Sequence, residues 1–111
     1  MINLITIHLQ AINDERNIFR QYEIYVGKDL FEMWNLTIAY GRIHKISHIK
    51  AYPFQSCEPL FSMLIQILKK RLSSHKRLGT NYRITAHFID SSHLLPTLPE
   101  KLIKLIQQNK I

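Results

Sequence analysis

Apolar residues along this chain recur mostly with a period of two and, in two places, with the spacing of a helix. The alternation is clearest over residues 33–40, where Trp34, Leu36, Ile38 and Tyr40 fall on one face and Asn35, Thr37 and Ala39 on the other. Residues 20–26 alternate likewise, with Tyr22, Ile24 and Val26 opposed to Gln21, Glu23 and Tyr25. A weaker alternation over 2–9 sets Ile5, Ile7 and Leu9 against Ile2, Leu4 and Thr6, a pattern compatible with a strand buried on both faces. Residues 47–52 form a fourth predicted strand, with Ile49 and Ala51 inward and His48, Lys50 and Tyr52 outward, limited by Pro53. Residues 82–89 form a fifth, with Tyr82, Ile84, Ala86 and Phe88 alternating. The polar run 13–17 and Gly27-Lys28-Asp29 are turns, and Gly41 marks a place where the strand bulges or lets another backbone approach.

Helical spacing begins after residue 56. Ser56 is a suitable N-cap, Glu58 suits the positive helix end, and Pro59 sits in the first turn, where its missing N–H costs nothing. Leu60, Phe61, Leu64, Ile67, Leu68 and Leu72 make the apolar face, and Lys69, Lys70 and Arg71 fall in the last turns. Thr97, Pro99 and Glu100 open a shorter helix over 100–108 with Leu102, Ile103, Leu105 and Ile106 as its stripe. These elements predict an α+β fold: a small antiparallel β-sheet with one main helix packed across it, plus a short C-terminal helix. No repeat or linker divides the chain. One domain is expected over 1–83, with 84–111 packing on it as an extension.

Composition adds a class and a charge. The chain is 46% hydrophobic and 21% charged, as an ordinary globular domain is. No apolar run approaches the roughly 18–20 residues that span a bilayer, so no membrane partner is expected. The N-terminal stretch MINLITIHLQ alternates and lacks a basic flank, unlike a signal peptide. The single cysteine, Cys57, permits no internal disulfide, and the cytoplasm is the expected compartment. The net charge of +7 is unevenly placed: nine basic residues lie between Arg42 and Arg83 against one acid, Glu58. A localised positive field of this kind attracts phosphate polyanions.

Catalytic and metal chemistry find no footing. Asp14-Glu15 and Asp29 fall in turns, with no opposed second carboxylate. His44 and His48 are four apart, a spacing that aligns ligands only on a helix. Cys57 heads a helix, where the dipole can lower a thiol pKa, but reads as a small, partly buried helix-start residue; Asp90, Ser91, Ser92 and His93 form a loop-like string. Neither an enzymatic activity nor a metal or other cofactor is expected. What remains is cations interleaved with aromatics: Tyr40 and Arg42 flank Gly41, followed by Lys45, His48, Lys50 and Tyr52. Tyr40 either fills the core or lies at the surface.

These same residues carry a family resemblance. Over 13–77 the ordered landmarks Arg16-Asn17, Arg20-Gln21-Tyr22, Asp29-Leu30-Phe31, Trp34-Asn35-Leu36, Tyr40-Gly41-Arg42-Ile43 and Pro53-Phe54-Gln55-Ser56, with a basic exit over 69–77, resemble a WGR domain of the small bacterial kind. Two positions depart from that pattern: tyrosine stands for the motif tryptophan at Tyr40, and His44 stands where the family often has glycine. The resemblance implies a small antiparallel sheet crossed by a helix. It also implies DNA binding, as in the WGR domains of poly(ADP-ribose) polymerases, with Tyr40 packing on a terminal sugar and Arg42 at the DNA-facing or interdomain surface. The expectation is a non-catalytic nucleic-acid binding module, for DNA in particular, using Tyr40, Arg42, Lys45, Lys50, Lys69, Lys70, Arg71, Lys76 and Arg77. The alternative is a protein-interaction or regulatory module, as a homodimer or a regulator of a partner enzyme, that uses an exposed apolar patch at Ile103 and Ile106.

Overall fold

Short, internally bonded connections turn the first four strands into a meander. A computed structural model describes residues 2–74, 79–90 and 98–109; the predicted site residues Lys76 and Arg77 and the predicted cap Thr97 lie outside them. Strand β1 (Ile2–Asn13) passes to β2 (Ile18–Lys28) through a single 3₁₀ turn, Asp14–Arg16. There the Asn13 side chain accepts the Arg16 N–H at 3.3 Å, and Asn17 takes the left-handed conformation at φ 54°. Between β2 and β3 (Trp34–Arg42), one carboxylate oxygen of Asp29 accepts the N–H groups of Phe31 (2.8 Å) and Met33 (3.0 Å). These bonds, that of Met33 foremost, hold the Asp29 carboxyl below its ordinary pKa. The loop so pinned exposes Leu30 and Phe31 almost completely. The turn from β3 to β4 (Lys45–Phe54) carries His44 at φ 67°, a conformation that favours glycine.

Helix α1 (Cys57–Leu72) follows, then β5 (Arg83–Ile89) and α2 (Glu100–Asn109). Ser56 occupies the N-cap position of α1 with extended backbone, although its side chain makes no capping bond. The strands form one antiparallel sheet in the order β4-β3-β2-β1-β5. The architecture is therefore α+β, as the periodicities predict. Neither described helix is long and apolar enough to cross a membrane.

Cross-strand register sorts the side chains. Leu9, Tyr22, Tyr40 and His48 form one lateral row; Ile7, Ile24, Ile38 and Lys50 the next; Ile5, Val26, Leu36 and Tyr52 the third. Against this face α1 buries Leu60, Phe61, Leu64 and Leu68, and α2 buries Leu102 and Ile106. Trp34 packs at the margin, edge-on to Phe61 at 6.0 Å, with the Lys28 ammonium 4.9 Å above its ring. The other face leaves Ile12, Ile49 and Phe88 largely exposed.

Three expectations are corrected. In β4 the inward set is His48, Lys50 and Tyr52, which pair with Tyr40, Ile38 and Leu36; Ile49 is 71% exposed and Ala51 is exposed. β4 is an edge strand at the margin of the helix layer, so its inward positions need only amphipathic side chains and the alternation of apolar residues misleads. In β5 the alternation is broken by a bulge: Ile84 pairs with Leu9 towards the core, whereas Ala86 and Phe88 pair with His8 and Thr6 on the open face. Finally, Ile106 is 2% exposed and Ile103 only partly so, which removes the exposed patch expected on the C-terminal helix.

Each fully buried aliphatic side chain contributes about 1.5–3 kcal/mol by burial. Leu64, wholly enclosed between α1 and the sheet, sets the expected scale of damage. Leu64→Ala is expected to cost about 2–5 kcal/mol, read as a lower urea midpoint at unchanged m-value.

Candidate functional site

The sheet end that carries the β1–β2 and β3–β4 turns gathers cations from three segments. Antiparallel pairing sets Arg20 opposite Arg42, and Arg42 opposite Lys45. Neighbouring strands lie only about 4.8 Å apart, so this row is repulsive unless anions screen it. The two turns are tied together: the Ile43 N–H donates to the Phe19 carbonyl at 2.8 Å, and Arg42 Nη2 donates to Asn17 Oδ1 at 3.2 Å. The Arg42 guanidinium also lies 5.2 Å from the Phe19 ring centroid. Arg16 arrives from the 3₁₀ turn, with its side chain lying against Gly79. Together these groups line a groove of about 400 Å³ with Arg16, Arg20 and Arg42 around it and Tyr40, Ser47 and His48 on one wall. The ion pairs among the described residues are His8–Glu23, Lys28–Glu32 and Lys104–Glu100, none of which neutralises this row.

Gly41 determines the wall. Pairing shifts register between Tyr40 and Gly41, which oppose His48 and Ile46, so Ser47 is bulged out. A Cβ on Gly41 would meet the Lys45 carbonyl at 2.5 Å and the Ser47 nitrogen at 2.9 Å. Only glycine admits so close a backbone, in agreement with the expectation at this position. The bulge brings His48 onto Tyr40, with ring centroids 4.9 Å apart and planes 8° from parallel. Tyr40 in turn stacks on Tyr22 at 5.4 Å and 17°, and the Arg71 guanidinium lies 4.5 Å from the Tyr22 centroid. Tyr82 meets Tyr22 edge-on at 6.1 Å. Burial, opposed in part by Arg71, pushes the Tyr22 hydroxyl above its ordinary pKa.

The predicted site residues therefore separate. Arg42 lines the groove with Lys45 paired opposite it, and Lys50 is exposed one step along the same face of β4 from His48. Tyr40 is half-buried, with a ring on each face. Arg71 is drawn inward over Tyr22, and its Nε is buried without a hydrogen-bond partner among the described residues. Lys69 faces α2, where the hydrogen bond and like charge of Lys101 hold its ammonium below the usual lysine pKa. Lys70 is exposed in the last turn of α1. Arg16 and Arg20 escape a count of charge along the chain because both precede the basic block; for Arg20 the signal is the antiparallel pairing of residues 20–26 with 33–40, which continues to Arg42.

No family model, curated protein or solved structure matches this chain.

A second polar cluster sits on the open sheet face. The Tyr25 hydroxyl donates to Glu23 Oε2 at 2.8 Å and lies 3.4 Å from His8 Nε2. Burial, reinforced by the Glu23 hydrogen bond and charge, pushes the Tyr25 pKa up to about 12. Among the described residues no three of His, Cys, Asp and Glu converge as metal ligands.

Two outcomes follow from these contacts. Gly41→Ala is expected to cost about 1–3 kcal/mol through overpacking and to weaken the ring-current shift of the His48 protons in NMR spectra. For Tyr25, the folded pKa lies above the unfolded value of 10, so its stabilisation is complete below about pH 10 and is lost as pH rises through about 12. Tyr25→Phe should then shrink the loss of stability that urea titrations record for the wild type between those pH values.

Proposed function

We propose that this protein is a non-catalytic nucleic-acid binding module, with DNA as its expected ligand, and that the groove beside Tyr40-Gly41-Arg42 is its phosphate site. The observation that carries the reading is the lateral row Arg20, Arg42 and Lys45, joined by Arg16 and left without carboxylate partners among the described residues. Unscreened like charges on adjacent strands are unfavourable in the free protein, and a polyanion that bridges them removes that cost. Arginine forks, the Asn17 amide and the Ser47 hydroxyl are donors of the kind that phosphate and sugar oxygens accept.

Likeness to a WGR domain supports the same reading. The motif glycine has a reason here in the close approach of β4, and the left-handed His44 occupies the position where that family often carries glycine. The sheet crossed by a helix is the architecture the likeness implies. The groove is lined by residues of β2, β3, β4 and the first turn, with no residue of α1 or α2 among them to read base edges, so binding is expected to be weakly dependent on sequence.

Binding should fall linearly in log–log terms with added salt. Arg20→Ala should reduce the slope by about one phosphate contact, whereas Lys69→Ala, on the α2 side, should leave it unchanged. An affinity that stays level from low to moderate salt, or a slope that responds equally to both substitutions, would sink the proposal.

A further inference from the structure

Tyr40 offers a ligand at the groove no open aromatic face. Tyr22 covers one side of the Tyr40 ring and His48 the other, at 5.4 and 4.9 Å. A nucleobase could reach Tyr40 only by displacing His48. The ladder runs laterally across the sheet from the Arg71 guanidinium through Tyr22 and Tyr40, and His48 is its outermost ring. His48 stands on β4, the edge strand, so no further strand lies beyond it among the described residues. Its residue is exposed, and its plane is held parallel to Tyr40 while Nδ1 shares a 2.9 Å hydrogen bond with Ser47 Oγ. The outer ring face is thus fixed in orientation and open to solvent.

Cations bracket this face. Lys45 lies before His48 on β4 and Lys50 after it, both exposed, while Arg42 pairs with Lys45 across the turn. A base laid on His48 would have a cation on each side for its two flanking phosphates. Inside a duplex both faces of each base are covered by neighbouring pairs, whereas a single strand can turn a base outward onto a ring. Phe19, another ring at the groove, has the Arg42 guanidinium over one face.

We infer that the site takes single-stranded nucleic acid and that one unpaired base stacks on the outer face of His48, with Tyr40 as a positioning residue behind it. This inference rests on the nucleic-acid reading above and specifies which form of the ligand the groove selects.

The test compares a short oligothymidylate, an abasic strand of equal length and a blunt duplex by fluorescence anisotropy. The wild type should bind the oligothymidylate more tightly than either of the others. His48→Ala should weaken oligothymidylate binding about 5- to 100-fold and abasic binding much less, and His48→Tyr should retain the preference. Tyr40→Ala should lower the ratio of oligothymidylate to abasic affinity, a readout that loss of fold would not move selectively. Equal, salt-dependent binding of the oligothymidylate and abasic strands would overturn the stacking inference and leave the phosphate site standing. So would a His48→Ala variant that loses both affinities alike, or a duplex that binds best. Failure of every strand to bind would overturn both readings together.

Discussion

The close approach of two backbones at Gly41 organises this end of the molecule. Because Gly41 has no side chain, the Lys45 carbonyl and Ser47 amide can sit where a Cβ would otherwise stand. That contact forces Ser47 into a bulge and moves the following residues of β4 by one position relative to β3. Without the shift, Tyr40 would pair with Ser47 and the aromatic ladder would stop at Tyr40. With it, His48 lies flat on Tyr40 and Lys50 opposes Ile38. A backbone constraint at one residue thus fixes the outer wall of the groove and the positions of the cations beside it.

The core and the site are built from different parts of the same rows. Towards the sheet end that bears Trp34 and Phe54, the inward face is covered by Leu60, Phe61 and Leu64 of α1 and is ordinary close-packed hydrocarbon. Towards the turns, the inward face passes from aliphatic residues to the Tyr22–Tyr40–His48 ladder and then to Arg20, Arg42 and Lys45. Tyr22 joins the two regions: it is 1% exposed in the core, yet it carries Arg71 and supports Tyr40. The cations at the rim are exposed and add little to packing, so their substitution should act on binding more than on folding.

Much of this architecture was legible in the sequence. The first three strands have alternation that matches the observed faces at most positions, and the cap residues and apolar spacing of α1 place that helix well. The failures have local causes. Ile49 and Ala51 look like core residues, but an edge strand beside a narrow helix layer can invert the usual rule. Thr85 is the extra residue of a bulge in β5, and nothing in the local residue types announces it. For the site, counting charge between residues 42 and 83 found Arg42, Lys45 and Lys50 but grouped them with Lys69, which lies on another surface. Arg16 and Arg20 lie outside that count; the β1–β2 turn brings the first near and antiparallel pairing the second. Linear density measures how much charge a segment holds, and strand register decides which charges meet.

The ladder also shows how a sheet can present a polar ring rigidly at an exposed edge. An isolated surface histidine would sample several rotamers, and binding would have to restrict them at a cost of roughly 0.5–1.5 kcal/mol for each immobilised side chain. Here Tyr40 behind the ring and Ser47 at its Nδ1 restrict His48 before any ligand arrives. The same restriction applies to Arg42, which Asn17 and Phe19 hold in place. Two groups of opposite chemical preference, a ring face and a guanidinium, are therefore held in a fixed relation across one β-turn. That relation suits a ligand whose aromatic and anionic parts are covalently linked a few ångströms apart, and a nucleotide is such a ligand.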